Sequence, residues 1–253
     1  MIANTVKKKR GCTVFSLRLY WIIENDLTLR EGSMIQACIF DLDGTLADTL
    51  QSMAFVTNRI LQDFGLPVLP VDNFRYYSGE GAHMLMRRCL KDAGDVDLIH
   101  LEEGEQRYRD IFAEDPMYQV VPYEGITEVL QTLKKCGVKT AVCSNKPHPA
   151  AVKVIEIMFP GLIDIVMGQS SEIARKPAPD GVLKIAETFG IKPQECMYVG
   201  DTQTDMLTGK AAGAFTVGAL WGFRDREELE SSGADRVAEK PLDLLKIYEE
   251  MKP

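Results

Sequence analysis

The strongest constraint on this chain is the placement of its short apolar runs. From Ile35 onward they recur as Ala37 to Phe40, Lys139 to Cys143, Ile163 to Met167, Cys196 to Val199 and Ala214 to Val217. The segments between them are amphipathic, with Ile126, Val129, Leu130 and Leu133 ahead of the second run and Leu244, Leu245 and Tyr248 near the end at helical spacing. Apolar runs alternating with amphipathic helices are how a parallel sheet with crossover helices reads, so the expected fold is a doubly wound α/β sheet of Rossmann-like type. The gap between the first and second runs is far longer than a crossover needs. Residues 50 to 118 fill it with helical periodicity, including a stripe of Leu50, Met53, Val56, Ile60, Leu61 and Phe64 and a second of Leu85, Cys89 and Leu90. The expected organisation is therefore a catalytic core over 34–48 and 120–253 and a helical cap over 49–119, inserted after the first strand.

Composition narrows the function. With 45% hydrophobic residues in 253, the chain can bury a full core. Acidic residues outnumber basic ones 37 to 29, a net charge of −8, and the resulting field repels polyanions. Neither nucleic acid nor an anionic membrane is an expected partner, whereas a small anion can still bind at a local site. The 6 cysteines are scattered with no Cys-x-x-Cys pair, as in a reducing compartment, and a cytoplasmic location is expected. Residues 1–33 carry a basic run, Lys7 to Arg10, and an apolar stretch, Val14 to Ile23, that imitate a signal peptide poorly. Arg18 interrupts the stretch, no small-residue cleavage site follows, and its length is too short to span a bilayer. Arg30-Glu31-Gly32 can be encoded by AGG-GAG-G, a purine-rich stretch like a bacterial ribosome-binding site read as protein. The expectation is a disordered tail or a mis-assigned start, with Met34 as the true beginning.

In open α/β sheets ligands bind beyond the carboxyl ends of the strands. After the first run stands Asp41-Leu42-Asp43-Gly44-Thr45; after the second, Ser144-Asn145-Lys146. Arg175-Lys176-Pro177 comes soon after the third, and Gly200-Asp201-Thr202-Gln203-Thr204-Asp205 follows the fourth. Carboxylates, hydroxyls and a lysine thus converge on one place. Oxygen ligands in a cluster suit a hard cation such as Mg²⁺, and that cation with Lys176 offsets the charge of a phosphate. A carboxylate can attack phosphorus and hold it as an acyl phosphate. A second carboxyl two positions away can protonate the leaving oxygen and later deprotonate water, and Asp41 and Asp43 have that spacing. Backbone amides of the Leu42 to Thr45 loop can add charge stabilisation, with Gly44 admitting close approach.

The segments DLDGTLADT, SNKP, RKPAPD and GDTQTDM resemble the four ordered signature motifs of the haloacid dehalogenase-like hydrolases. The resemblance spans residues 35 to 253. It implies that Asp41 is the nucleophile, Asp43 the acid/base, and Ser144 and Lys176 phosphate ligands. It also implies that Mg²⁺ is held by Asp41, Asp201 and the Asp43 carbonyl, with Asp205 further out or acting through water. The long insert, and the tail from Trp221-Gly222-Phe223 through Gly233-Ala234-Asp235, are similar to the phosphoglycolate phosphatase-like branch. Asp43, which true dehalogenases lack, argues for phosphate chemistry on a small phosphorylated metabolite. A β-phosphoglucomutase-like sugar phosphomutase, a pyrophosphatase or a nucleotide phosphatase would use the same residues, and a non-catalytic binding protein is the remaining alternative.

Other residues have plainer readings. Thr45 and Asn145 serve equally as substrate contacts or as local hydrogen-bonding supports. Asp48 reads as a helix cap, and Asp180 as a first-turn residue. His83, His100 and His148 show neither metal-ligand spacing nor a nucleophile beside them, and read as surface or packing residues. If the substrate is an acid, its carboxylate needs a cationic partner; Arg75, His83, Arg87 and Arg88, flanking the Ser78-Gly79-Glu80-Gly81 turn, are the cap residues placed to supply it.

Overall fold

The structure, a computed structural model, describes residues 35–251. The tail or mis-assigned start expected over 1–33 lies outside the described residues. The first strand, β1 (Ala37–Phe40), is buried along its whole length, which is why it reads as a continuous apolar run rather than an alternating one. A two-residue strand, β2 (Ala47–Asp48), follows the loop after β1, and the chain then enters helix α1 (Leu50–Asp63). Asp48 Oδ1 accepts from the Leu50 amide at 3.1 Å, the helix-start role expected of it. A 3₁₀ turn (Val71–Asn73) leads into α2 (Phe74–Tyr77), α3 (Ala82–Asp92) and α4 (Leu101–Glu114). Strand β3 (Val121–Pro122) then returns to pair antiparallel with β2, Ala47 opposite Pro122 and Asp48 opposite Val121. This ribbon joins the points where the chain leaves and regains the sheet.

The helices between β2 and β3 have a core of their own. Met53, Val56, Ile60 and Leu61 of α1 pack with Leu85, Met86, Cys89 and Leu90 of α3 and Tyr108 and Phe112 of α4, all buried. Each helix offers an apolar stripe at three- and four-residue spacing, and together they enclose it.

The rest of the chain alternates helix and strand: α5 (Ile126–Lys135), β4 (Lys139–Pro147), α6 (His148–Met158), β5 (Ile165–Gln169), α7 (Asp180–Phe189), β6 (Cys196–Gly200), α8 (Gln203–Ala212), β7 (Phe215–Ala219), α9 (Arg226–Ser231), β8 (Arg236–Ala238) and α10 (Asp243–Glu250). The sheet order is β5-β4-β1-β6-β7-β8, every pairing parallel. This is the expected α/β fold. Two features depart from the sequence reading. Strand β8 was not anticipated, because three residues beginning with a charged Arg236 make too short a run to stand out. Strand β4 does not stop at Cys143 but continues through Ser144-Asn145-Lys146 to Pro147, with a register irregularity against β5 between Cys143 and Pro147. Such a bulge re-aims the side chains at the end of a strand.

Strand order explains where the site lies. The chain builds outward from β1 through β4 and β5, then returns to the other side of β1 with β6, so the switch point falls at the carboxyl end of β1. The three central strands are in step there: Phe40 pairs with Val142 on one side and Val199 on the other. Asp41, Ser144 and Asp201 therefore emerge within one residue of the same rung.

Candidate active site

Asp41 is the first residue past β1, its amide donating to the Val199 carbonyl at 2.8 Å. Its carboxylate lies 3.0 Å from the Lys176 ammonium, which reaches in from the loop after β5 and also meets Asp205 at 2.7 Å. All three side chains are buried. Burial alone would lower the Lys176 pKa, but the Asp205 and Asp41 carboxylates overcome it and hold the ammonium above the ordinary lysine range. Burial is also the main influence on Asp41, pushing it up to about 7; Lys176 pulls it down, while Asp205 and Asp43 add to the rise.

Asp201, one residue beyond β6, is fully buried. Its oxygens accept from the Thr45 hydroxyl at 2.9 Å and the Phe223 amide at 2.8 Å. Burial first, then repulsion from Asp205 and Asp41, raises its pKa well above the carboxylate range, against the opposing pull of these two hydrogen bonds. The close packing depends on glycine: a Cβ on Gly44, which has φ 84°, would collide with the Asp201 carboxylate, and one on Gly222 would strike the same side chain. The loop after β7 thus folds over Asp201, with Trp221 Nε1 donating to the Thr45 carbonyl at 2.9 Å.

Carboxylate oxygens of Asp41, Asp201 and Asp205 lie within 4.8 Å of one another. Of these three buried carboxylates, Asp41 and Asp205 meet the Lys176 ammonium and Asp201 has no ion-pair partner among the described residues. Excess negative charge at low dielectric is strongly unfavourable without a cation, so this oxygen set fits a divalent metal ion. The three do not contribute alike. One oxygen of Asp205 accepts from Lys176 and from Tyr198 Oη at 3.1 Å, the other from the Thr202 amide at 3.1 Å and hydroxyl at 2.7 Å. The bond from the Thr202 amide belongs to a capping box at the start of α8, with Thr202 as the N-cap and Asp205 at the third helical position.

Asp43 stands apart from the triad. Its carboxylate meets Lys146 Nζ at 3.0 Å, and both side chains line a cavity of about 40 Å³ together with Asp41 and Ser144. Thr45 is fully buried against Asp201, outside the cavity lining. Asn145 does line the cavity, but its polar atoms are engaged with protein: Nδ2 donates to the Gly79 carbonyl at 3.0 Å and the Lys176 carbonyl at 3.2 Å, and Oδ1 accepts from the Lys176 amide at 2.9 Å. Both act in the structure as supports, which tie the phosphate-side residues to one another.

The other wall of the cavity belongs to the helices between β2 and β3, through Met53, Ala82, Leu85, Tyr108 and Phe112 and the turn at Ser78 and Gly79. Core side chains hold that turn in place. Arg224 donates to the carbonyls of Arg75 and, at 3.2 Å, Ser78; Arg175 donates to the Glu80 carbonyl at 3.2 Å. None of Arg75, His83, Arg87 and Arg88 lines the cavity. Arg75 is spent on the Gly222 carbonyl at 2.9 Å, Arg88 on Glu80, and His83 on Glu105 at 2.7 Å, while Arg87 is exposed. His100 pairs with Asp95 at 3.1 Å and His148 accepts from the Gly168 amide at 3.3 Å, the packing roles expected of them. Lys146, Tyr108 and Phe112 were not foreseen. Lys146 sits inside the strand-end triplet with Ser144 and Asn145, and that position was its one visible signal.

Four parallel strands that bring buried carboxylates and a lysine together beside a small cavity make a site equipped for phosphate esters on an α/β core. Residues 38–219 match the family model of the haloacid dehalogenase-like hydrolases. The chain belongs to that family, and it is a phosphatase acting on phosphoric monoesters. It is 34% identical over 216 residues to a phosphoglycolate phosphatase of Aquifex aeolicus, covering 85% of this chain and 97% of the relative. A phosphoglycolate phosphatase of Pseudomonas putida is 31% identical over 210 residues, 81% of this chain and 77% of its own. Among solved structures, one described as a predicted phosphoglycolate phosphatase from Haemophilus somnus superposes with a TM-score of 0.78 at 26% identity, covering 85% of this chain and 98% of that one.

Proposed function

We propose that the protein hydrolyses 2-phosphoglycolate, or a small phosphorylated acid of the same shape, through a phospho-aspartate formed on Asp41. The observation that carries this reading is the cavity. Asp41 and Asp43 line it beside apolar side chains of the insert, and it is small, about 40 Å³. A space of that size suits a two-carbon leaving group better than the hexose of a sugar phosphomutase. The relatives named phosphoglycolate phosphatase point the same way.

In the mechanism, the Asp41 carboxylate attacks phosphorus in line with the leaving oxygen, and the bond from phosphorus to that oxygen breaks as the acyl phosphate forms. Asp43 delivers a proton to the leaving oxygen, then accepts one from the water that attacks phosphorus and frees Asp41. The Lys176 ammonium, the Ser144 hydroxyl and the amides of the loop after Asp41 hold the phosphoryl oxygens, fixed beforehand by Asn145 and Asp205. Asp41, Asp201 and the Asp43 carbonyl, with Asp205 beside them, would hold Mg²⁺, which would supply positive charge against that of the phosphate. Thr45 orients Asp201 for this. The helices of residues 49–119 serve as a cap on the core of 34–48 and 120–253 and keep bulk water from the acyl phosphate.

Cys38, Cys89, Cys143 and Cys196 are free thiols, which accords with a cytoplasmic enzyme of small metabolites. No helix among the described residues is long and apolar enough to cross a membrane. A panel of phosphomonoesters assayed with Mg²⁺ and with a chelator tests the reading. Turnover of phosphoglycolate above larger esters, abolished by chelation, is expected; equal turnover in chelator refutes the metal assignment.

A further inference from the structure

We infer that Lys146 is the residue that selects an anionic leaving group, binding the carboxylate of the substrate on the far side of Asp43 from the phosphate. This rests on the phosphatase reading above and deepens it. Among the described residues lining the cavity, Lys146 is the one cation. Of the basic residues of the helical insert, Arg75, His83 and Arg88 are turned to other partners and Arg87 is exposed, and none of them lines the cavity.

The position of Lys146 follows from the backbone. Strand β4 runs past Cys143 to Pro147 with a register irregularity against β5 over that stretch, and Lys146 lies within it and lines the cavity. Its side chain is buried, its ammonium 3.0 Å from Asp43 Oδ1 and 4.7 Å from the centre of the Phe112 ring. The ring face attracts the cation and fixes one side of it. An ammonium has three donors, and among the described residues Asp43 is the only ion-pair partner of this one. Donors remain for a second anion.

Geometry sets the kind of anion. The group that protonates the leaving oxygen must lie within hydrogen-bond reach of it. Lys146 contacts that group directly, so its ammonium lies one hydrogen-bond length beyond Asp43. A carboxylate attached one carbon from the leaving oxygen falls within the same span. Met53, Leu85 and Phe112 on the facing wall are apolar, and Tyr108 and Ser78 offer only neutral hydroxyls, so a carboxylate enclosed there without Lys146 would lack a charged partner and be disfavoured. A substrate with a neutral leaving group of the same size forgoes the charge-assisted contact and gains nothing in exchange.

The test compares 2-phosphoglycolate with 2-hydroxyethyl phosphate, which replaces the carboxylate by a neutral group of similar size. Wild type, Lys146→Met and Lys146→Gln are assayed with Mg²⁺, with Arg88→Ala as a basic residue outside the cavity. In both Lys146 variants the ratio of kcat/KM for phosphoglycolate to that for hydroxyethyl phosphate should fall about 10- to 100-fold, chiefly through KM for the acid. Arg88→Ala should leave the ratio where it is. If Met or Gln at 146 lowers both esters equally, Lys146 serves Asp43 alone and the inference is overturned; an unchanged ratio overturns it too. The Gln variant keeps a polar group beside Asp43 and provides the readout if the Met variant does not fold. Wild-type turnover of both esters with no preference for the acid defeats this inference but spares the phosphatase reading, whereas turnover of neither defeats both.

Discussion

The ends of the strands and the helical insert build the same cavity from opposite materials. At the strand ends the polar groups are buried and committed: Asp41, Asp201, Asp205 and Lys176 are almost closed to solvent, Lys176 meeting Asp41 and Asp205, and Asp201 held by Thr45 and the Phe223 amide. On the insert, Arg107 and Arg109 pair with acidic neighbours along α4, while the side presented to the cavity is mostly apolar. The difference teaches where each part of the chemistry resides. The charged groups are carried by the ends of the sheet strands, and the insert lines the facing side of the cavity; in the proposed mechanism it is the part that excludes water.

Substitutions can break this division or sharpen it. Asp41→Asn should lower kcat by about 10⁴-fold or more while thermal unfolding stays near that of wild type, since it removes the nucleophile and relieves charge in a crowded site. A variant that turned over at a tenth of the wild-type rate would move the nucleophile elsewhere. Asp43→Asn should cost roughly 10²- to 10⁴-fold in kcat, the range of a lost general acid and base, and should leave metal binding intact by titration. Lys176→Arg should cost about 10²-fold, because a planar fork does not meet Asp41, Asp205 and a phosphate oxygen as a compact ammonium does. Wild-type rates for the arginine variant would make Lys176 a mere charge balance.

The insert should answer differently. Leu85→Ala, at a buried position in both the insert core and the cavity wall, should cost about 2–5 kcal/mol in a denaturant titration, more than any of the strand-end variants. The smallest effect is expected from Arg224→Ala, which removes the donors that hold the turn at Arg75 and Ser78. A rise of about two- to tenfold in KM with little change in kcat is expected of a weakened closure. A large loss of kcat there would mean that the turn contributes to the chemical step, and would erase the division between the two regions.

The strand ends were legible because each obeyed a local rule. Apolar runs such as Ala37 to Phe40 announce buried parallel strands, and the polar residues that follow them have little structural reason to be acidic. Asp41, Asp43, Ser144, Lys176 and Asp201 could all be found that way. The insert was legible only as helices. Which faces of α3 and α4 meet the core depends on tertiary packing, so Leu85, Tyr108 and Phe112 could not be told from other stripe residues, and Arg75 and Arg88 gave no sign that backbone carbonyls and Glu80 would claim them. Lys146 was hidden by the irregularity in β4, since a strand ending at Cys143 would have given it a different direction. Strand β8 escaped for the simpler reason that three residues do not make a period.

The account turns on covalent chemistry at Asp41, and reductive trapping examines it directly. The enzyme, mixed with phosphoglycolate and Mg²⁺, is quenched in mid-turnover and treated with borohydride, which reduces an acyl phosphate to the alcohol. Peptide mass mapping should then find homoserine in place of aspartate at position 41, only when both substrate and Mg²⁺ are present. Reduction at another carboxylate, or none anywhere while phosphate is released at full rate, would contradict the account.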